Sequence, residues 1–165
     1  MATSELEFAR DFDLPPAIVW DALVDDVLVE GWLATARIEP HVGGLYWLDW
    51  QSGTSLAATN GVITEFEPPA AGSAGLLVVA TDNIGTLEFS LAATPGGTRG
   101  SGTLLRLRIL VDTNPRLQAS TRAYWQSNFD QLEDLLRGHP VDWSSWQRDR
   151  GEAWARYLHE ASGDN

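Results

Sequence analysis

One long amphipathic stretch, from Leu117 to Leu136, constrains the fold of this chain more than any other feature. Its apolar side chains recur every three or four residues, which is the spacing of one face of an α-helix. This stripe consists of Trp125, Phe129, Leu132, Leu135 and Leu136. Because a stripe with Trp and Phe at its centre needs a large apolar partner, we expect the rest of the chain to supply that partner.

Signals for the start and the end of a helix flank the stretch. Asn114 and Pro115 stand before it, where an Asn side chain caps free backbone N–H groups and Pro is tolerated in the first turn. Gly138 and Pro140 stand after it and indicate where the helix ends. The opposite face of the predicted helix is polar and carries Gln126, Asp130, Glu133 and Asp134.

Most of the chain before this helix is predicted to form strands. Apolar residues that alternate or run together indicate strands at residues 6–12, 36–40, 45–51, 61–67, 75–81, 86–93 and 103–111. Short connections after Gly44 favour an antiparallel meander. In one of these strands we expect Val62, Thr64 and Phe66 to share a face. Two short helices are predicted behind the first strand, at residues 18–23 and 27–33.

The last segment, residues 141–165, predicts a second and shorter amphipathic helix. Its apolar residues are Trp146, Trp154, Tyr157 and Leu158. We expect Gly151 to interrupt this helix early. The length of 165 residues suits one domain with a core of its own. The expected organisation is therefore one domain at residues 1–140, with a C-terminal helical extension at 141–165 packed on it.

The composition of the chain indicates the cellular compartment in which we expect this protein. The chain has no Cys, so neither disulfides nor thiolate chemistry is expected. Its N-terminal residues are charged and lack the apolar centre of a signal peptide. No apolar run approaches the roughly 20 residues that a membrane-spanning helix needs. We therefore expect a soluble, cytoplasmic protein.

The charge and the aromatic content limit the classes of partner that we expect this protein to bind. The formal net charge is −12, and all 11 basic residues are Arg. Such a balance repels phosphate backbones and anionic lipids, so we expect no nucleic-acid partner and no membrane partner. Solubility explains this charge more simply than an acidic recognition surface does. The 8 Trp residues indicate either a roomy interior or an aromatic interface.

Four segments, taken in order, resemble one protein family. They are residues 8–34 (FARDFDLPPAIVWDALVDDVLVEGWLA), 38–50 (IEPHVGGLYWLDW), 61–69 (GVITEFEPP) and 124–136 (YWQSNFDQLEDLL). Together they resemble the START-like superfamily, also called SRPBCC or helix-grip, and within it the proteins similar to the activator of the heat-shock-protein-90 ATPase. The resemblance implies an α+β fold for residues 1–140, in which a curved antiparallel sheet wraps a long C-terminal helix.

The chain departs from this family pattern at several places. The strand after Pro69 lacks the expected aromatic residue, Tyr124 stands where a small residue is common, and residues 142–161 lie beyond the usual end. The outer side of such a sheet is normally solvated, yet Leu45 and Trp47 fall there. We expect the C-terminal helix or a second subunit to cover them, and a homodimer through Trp47 and that helix is one way to do so.

The resemblance also implies a cavity between the sheet and the long helix. Such cavities bind apolar ligands through a few polar anchors, so we expect a small hydrophobic or amphipathic ligand and no cofactor. The candidate ligand-binding residues are Phe8, Arg10, Tyr46, Leu48, Trp50, Phe66, Leu87, Phe89, Leu91, Leu105, Leu107, Trp125 and Phe129. The alternative is that these side chains pack against one another as an ordinary core.

Arg10 is the most informative polar residue, because it shares a strand face with two Phe residues. A buried guanidinium needs a carboxylate, which either a ligand or a nearby Asp or Glu could provide, unless the strand end is exposed. The three His residues show no metal spacing and no triad, so no catalytic or metal-binding residue is predicted. An enzyme similar to polyketide cyclases and a co-chaperone-like interaction domain remain alternatives to ligand binding.

Overall fold

A curved antiparallel sheet gripping one long helix defines the fold. The computed structural model describes residues 2–50, 57–96 and 100–162. Within these residues the sheet has seven strands. They are β1 (Ala2–Phe12), β2 (Thr35–Ile38), β3 (Leu45–Asp49), β4 (Thr59–Glu67), β5 (Gly75–Thr81), β6 (Thr86–Pro95) and β7 (Ser101–Thr113). The helices are α1 (Pro16–Val24), α2 (Asp26–Glu30), α3 (Pro115–Leu136) and α4 (Trp146–Ser162), with a 3₁₀ turn at Trp143–Ser145 before α4.

The strands follow a meander that the first strand completes. Their order in the sheet is β1-β7-β6-β5-β4-β3-β2, and every neighbouring pair is antiparallel. Strands β2 to β7 therefore lie in chain order, as the short connections predicted. Strand β1 pairs along its whole length with β7, so the first and the last strand of the chain are neighbours in the sheet. The predicted α+β helix-grip fold is confirmed.

Helix α3 begins and ends where the sequence signals predicted. The Asn114 side chain accepts a hydrogen bond from the backbone N–H of Leu117 at 3.0 Å, which caps the first turn. Gly138 takes a φ of +89° just after the helix, a conformation that favours glycine. The Trp125, Phe129 and Leu132 side chains are buried against the sheet. The predicted stripe is therefore the face that the sheet grips.

Aromatic rings connect α3 to the centre of the sheet. The ring of Trp125 lies 5.8 Å from that of Phe129 and 6.2 Å from that of Phe89, measured between centroids. Phe129 in turn lies 6.1 Å from Phe8 on β1. The angles between these rings are tilted or edge-to-face, which is the favourable arrangement for aromatic pairs. The inner side of the fold is therefore a packed aromatic core.

The interpretation of β4 needs a correction. Val62 and Thr64 are exposed, whereas Ile63 between them is fully buried. The pairing of β4 with β5 shifts register between Ile63 and Glu65, which marks a β-bulge. Because the bulge inserts one residue, Phe66 returns to the inner side and packs at 5.3 Å on the ring of Trp20. Strict alternation was therefore wrong for Val62 and Thr64, although Phe66 does face inward.

The expectation for α4 also needs correction. This helix packs on α3, on the side away from the sheet, and does not cover Leu45 or Trp47 on the outer face of β3. Trp47 is instead half-buried beneath Arg37, whose guanidinium lies 5.7 Å from the indole. Gly151 does not interrupt α4, since it is helical and buried. Within the described residues, no helix combines the length and the hydrophobicity that crossing a membrane requires.

Candidate functional site

The predicted ligand-binding residues do lie together on the inner side of the sheet. Eleven of them belong to one buried core cluster, namely Phe8, Tyr46, Leu48, Trp50, Leu87, Phe89, Leu91, Leu105, Leu107, Trp125 and Phe129. Phe66 is partly buried and packs against this cluster. Arg10 lies at its margin, on β1. Their shared location follows from the period of two along each strand, which sends alternate side chains to the same face.

The Arg10 guanidinium is held by acidic and amide groups of α3. Its Nη1 lies 2.9 Å from Asp130 Oδ1 and 3.7 Å from Glu133 Oε2, and its Nη2 donates to Gln126 Oε1 at 3.1 Å. The Arg10 side chain retains 21 % of its exposure. Of the alternatives that the sequence left open, pairing with a nearby acid is the one that the structure contains. The guanidinium therefore joins β1 to α3.

Two other polar groups of the interior also have protein partners. The Tyr46 hydroxyl donates to the carbonyl oxygen of Leu23 at 2.7 Å. Burial raises the pKa of Tyr46, so its hydroxyl stays protonated. Trp50 donates its indole N–H to Thr59 Oγ1 at 2.9 Å, and that hydroxyl donates to Asn83 Oδ1 at 2.6 Å. These groups stabilise the interior and are not free to act as acids or bases.

Two surface hollows of the described residues involve the outer side and one end of the sheet. One, of about 440 Å³, lies over β1, β6 and β7, and its outward-facing residues are Glu7, Ala9, Glu88, Ser90, Arg106 and Arg108. The other, of about 320 Å³, lies at the turn between β5 and β6 and the adjoining end of β7. Between the sheet and α3 lie the buried side chains of the aromatic core described above.

One polar group in the described part of the interior has no hydrogen-bond partner. The Asn128 Nδ2 atom on α3 is buried and unbonded, and the residue as a whole is 4 % exposed. Asn128 follows Tyr124 by one helical turn and precedes Leu132 by one turn, so it lies on the flank of the apolar stripe. On that flank the ring of Tyr124 meets the ring of Trp50 at 5.6 Å. Asn128 therefore lies one helical turn from the Tyr124–Trp50 pair, which is the aromatic end of the interior.

The next amide along the helix, that of Gln131, is fully used. Its Nε2 donates to the carbonyl oxygen of Trp32 at 2.6 Å and approaches Asn128 Oδ1 at 3.5 Å. Its Oε1 accepts from the indole N–H of Trp146 on α4 at 2.8 Å. A buried amide in an apolar interior is costly unless it is bonded in this way. The contrast singles out Asn128 as the buried amide of α3 with spare hydrogen-bonding capacity.

The comparisons with known proteins decide the family. Residues 13–137 match the family described as Activator of Hsp90 ATPase homolog 1-like protein. The chain belongs to this family. No curated protein matches the chain. The family match ends before the 3₁₀ turn and α4, so Trp146 belongs to a part of the chain beyond it.

Solved structures share the fold at low sequence identity. CalU16 from Micromonospora echinospora is 24 % identical, with a TM-score of 0.58, over 94 % of this chain and 88 % of that one. NE0264 from Nitrosomonas europaea is 18 % identical, with a TM-score of 0.63, over 81 % and 94 %. DynU16, from the dynemicin biosynthetic locus, is 17 % identical, with a TM-score of 0.60, over 82 % and 48 %. At these identities the likeness establishes the START-like fold.

Sequence reasoning missed the two buried amides of α3. The predicted apolar stripe leaves out Asn128 and Gln131, although the spacing Tyr124-Asn128-Leu132 places Asn128 on its flank. The polar face of α3 was also predicted without a partner, whereas Asp130 accepts from the Tyr157 hydroxyl on α4 at 2.6 Å. A polar residue one turn from apolar residues on both sides is the signal that finds Asn128.

The described residues contain no group of three or more His, Asp or Glu side chains placed to hold a metal ion. His41 and His139, two of the three His, are exposed in the loops beside β3 and after α3. The third, His159, is exposed on α4. None of them reaches the interior. The polar chemistry of the interior therefore rests on neutral amides, hydroxyls and indole N–H groups.

Proposed function

We propose that this chain binds a small hydrophobic or amphipathic molecule between the sheet and α3, where Asn128 donates a hydrogen bond to it. The observation that carries the proposal is the unbonded, buried Nδ2 of Asn128. Leaving such a donor unpaired costs about 1–3 kcal/mol, which an acceptor on a bound molecule would recover. Ligand sites of this kind combine an apolar lining with a small number of polar groups.

The position of Asn128 supports the same proposal. Tyr124 is only half-buried and Trp50 is the most exposed aromatic residue of the core cluster, so this pair lies nearest to solvent. The two rings meet edge to face, with planes 87° apart. An aromatic molecule that replaced this contact would keep the stacking surfaces covered while reaching Asn128. The aromatic end is therefore the place where a ligand enters at the least loss of packing.

Binding at this place requires the interior to open. Because the core is filled in the structure, the Trp50 and Tyr124 rings have to part before a ligand enters. The observed affinity is then lower than the intrinsic affinity by the fraction of molecules that are open. This cost favours a compact, rigid ligand over a long flexible chain.

Binding is better supported here than catalysis. An enzyme of the cyclase kind needs an acid or base beside its substrate. Among the described interior residues, the Tyr46 hydroxyl is held by Leu23 and the Arg10 guanidinium by Asp130. The spare group in that part of the chain, the Asn128 amide, can orient a ligand but does not titrate.

A thermal-shift screen with a matched variant tests the proposal. The panel contains lipids, aromatic hydrocarbons, aryl ketones and polyketide-like quinones, each measured with the wild-type protein and with Asn128→Leu. A ligand that binds only the native state stabilises it by RT ln(1 + L/Kd), where L is the free ligand concentration, so Tm rises with ligand concentration and with affinity. We expect ketones and quinones to raise the Tm of the wild-type protein. The dissociation constants derived from these shifts should be about tenfold higher for the variant.

Two results would count against this function. The first is a panel in which no compound shifts Tm up to its solubility limit. The second is stabilisation that is identical in the wild-type protein and in Asn128→Leu, because the compounds would then be binding elsewhere. Quenching of the Trp fluorescence by the same compounds gives an independent readout, since Trp50 and Trp125 border the proposed site.

A further inference from the structure

Hydrogen bonds of Gln131, to Trp146 on α4 and to the Trp32 carbonyl, determine how the Asn128 amide is oriented. An indole N–H can only donate, so Gln131 must turn its oxygen, Oε1, towards Trp146. Its Nε2 then faces the Trp32 carbonyl and Asn128. Because Nε2 also only donates, Asn128 must turn its oxygen towards Gln131. The Nδ2 of Asn128 is therefore left pointing away from Gln131.

We propose that Trp146 and Gln131 are positioning residues, which keep the Asn128 Nδ2 turned into the interior so that the site selects ligands carrying an acceptor oxygen. This inference rests on the proposed binding function. It adds the chemical class of the ligand, a neutral carbonyl compound, and a role for the C-terminal extension that lies beyond the family match. Neither residue touches the ligand, because Gln131 faces α4 and Trp146 lies on that helix.

The polar groups around the interior favour a neutral ligand over an acid. A carboxylate ligand would need a cationic partner, and Arg10 is already paired with Asp130 at 2.9 Å. Arg10 also reaches α3 beside Gln126 and Glu133, on the flank opposite Asn128. A single neutral N–H donor suits a ketone, quinone or amide carbonyl.

Three tricyclic probes of nearly equal size separate the possible chemistries. Fluorenone carries an acceptor oxygen, carbazole carries an N–H donor, and fluorene carries neither. The dissociation constant of each is measured by fluorescence titration with the wild-type protein. We expect fluorenone to bind about tenfold more tightly than fluorene, which is the contribution of one buried hydrogen bond. Carbazole should show no gain over fluorene.

The positioning role is tested with Trp146→Phe, which keeps an aromatic ring and removes the indole N–H. Gln131 is then held by the Trp32 carbonyl alone, at 2.6 Å, so its amide and the Asn128 amide beside it are fixed less firmly, and the preference for fluorenone should fall below that of the wild-type protein. The matched control is Trp143→Phe. Trp143 lies in the same extension, but its indole N–H donates to the Glu30 carbonyl at 2.7 Å and not to Gln131. This control should keep the wild-type preference.

A second variant, Gln131→Glu, reverses the expected selectivity. Burial beside the Trp32 carbonyl keeps the new carboxyl group protonated, so that its O–H donates to that carbonyl and its other oxygen accepts from Trp146. The hydroxyl has no second hydrogen for Asn128 and can only accept from it, so Asn128 turns its Nδ2 outward and presents its oxygen to the interior. The preference should then move from fluorenone to carbazole. If Gln131 had only a structural role, the variant would bind all three probes more weakly by the same factor, and the order of their affinities would not change.

A readout without ligand separates failure of this inference from failure of the proposed function. The side-chain NH₂ signals of Asn128 in an NMR spectrum should shift in Trp146→Phe and stay in place in Trp143→Phe. If none of the probes binds the wild-type protein, the proposed function fails, and the NMR comparison still decides the positioning role. If the Asn128 signals are unchanged in Trp146→Phe, or the fluorenone preference persists in both Trp146→Phe and Gln131→Glu, the inference is overturned.

Discussion

At the level of single residues, the described interior of this protein is distinguished by one amide, that of Asn128, whose NH₂ group has no hydrogen-bond partner. Three other polar side chains of that interior, Tyr46, Trp50 and Gln131, each form a hydrogen bond with another protein group. Native structures pair almost all of their buried polar groups, and exceptions are found at functional sites. Asn128 thus lowers the free energy of unfolding relative to an apolar residue of the same size. We expect ligand binding to be the reason why such a residue is present.

Replacing Asn128 by Leu should therefore stabilise the protein without ligand. The change removes an unpaired donor and keeps nearly the same volume, so we expect the free energy of unfolding to rise by about 1 kcal/mol. Urea denaturation at constant m-value measures the change. The control, Gln131→Met, should destabilise by about 2 kcal/mol, because Trp32 and Trp146 then lose their partner. A destabilised Asn128→Leu would mean that the amide is satisfied in solution.

Tyr46 gives a prediction about alkaline pH. Burial raises its pKa above the ordinary value of 10.0, so the folded protein retains a proton that the unfolded chain loses. The contribution to stability is fully present below that value and declines as the pH rises above it. The chain has no Lys and no Cys, so Tyr is the side-chain type that loses its proton in this range when the chain is unfolded.

The test compares the wild-type protein with Tyr46→Phe. At neutral pH the variant should be less stable by about 1 kcal/mol, since the Leu23 carbonyl loses its donor. Between about pH 9 and pH 11 its unfolding free energy should fall less steeply than that of the wild-type protein. Tyr157→Phe is the comparison: burial and the hydrogen bond to Asp130 also raise the pKa of Tyr157, but it is only partly buried, so this variant should change the slope less than Tyr46→Phe does. Equal slopes for wild type and Tyr46→Phe would contradict the argument.

At the scale of elements, α4 completes the surroundings of α3. Three contacts tie the two helices together, from Trp146 to Gln131, from Arg150 to Asp134 and from Tyr157 to Asp130. They involve the polar face of α3 that the sequence alone left without a partner. The same Asp130 also binds Arg10 on β1, so one carboxylate joins a strand and two helices. The extension is therefore expected to share in the stability of the domain.

Removing the extension tests that expectation. A chain that ends at residue 140 loses the buried Trp146 and Val141 and exposes α3 residues that are now covered, such as Ala123 and Ser127. We expect this truncation to unfold at a lower temperature than a control chain that ends at Ser162, or to fail to fold. If both chains unfold at the same temperature, residues 141–165 form a unit of their own rather than part of the domain.

At the scale of the whole molecule, an apolar patch remains on the outer face of the sheet. Leu45 on β3 and Val62 on β4 are directly paired and keep 36 % and 49 % of their exposure. Trp47 adjoins them. This patch lies on the side of the sheet opposite α4, so one two-fold contact cannot use both surfaces. We propose that a second copy of the chain covers the patch alone.

Light scattering after size exclusion tests this dimer. We expect a dimer for the wild-type protein and a monomer for Leu45→Glu, because a buried unpaired carboxylate opposes association. The control is Leu117→Glu, which changes a similarly exposed Leu at the start of α3, away from the patch. A wild-type protein that stays monomeric at every concentration, or a Leu45→Glu variant that dimerises normally, would contradict the proposal.

The sequence alone determined the elements, their order and, except along β4, the face of each strand that is buried. Local signals were sufficient there, since the cap at Asn114, the glycine at Gly138 and the alternation along β6 act within a few residues. Which residues pack against those faces follows from how the helices and strands dock. The bulge that returns Phe66 to the inner side, the acids that hold Arg10, and the chain of bonds from Trp146 to Asn128 join residues that are distant in sequence or depend on strand register. Such contacts depend on how helices and strands dock against one another, and short-range sequence patterns do not contain that information.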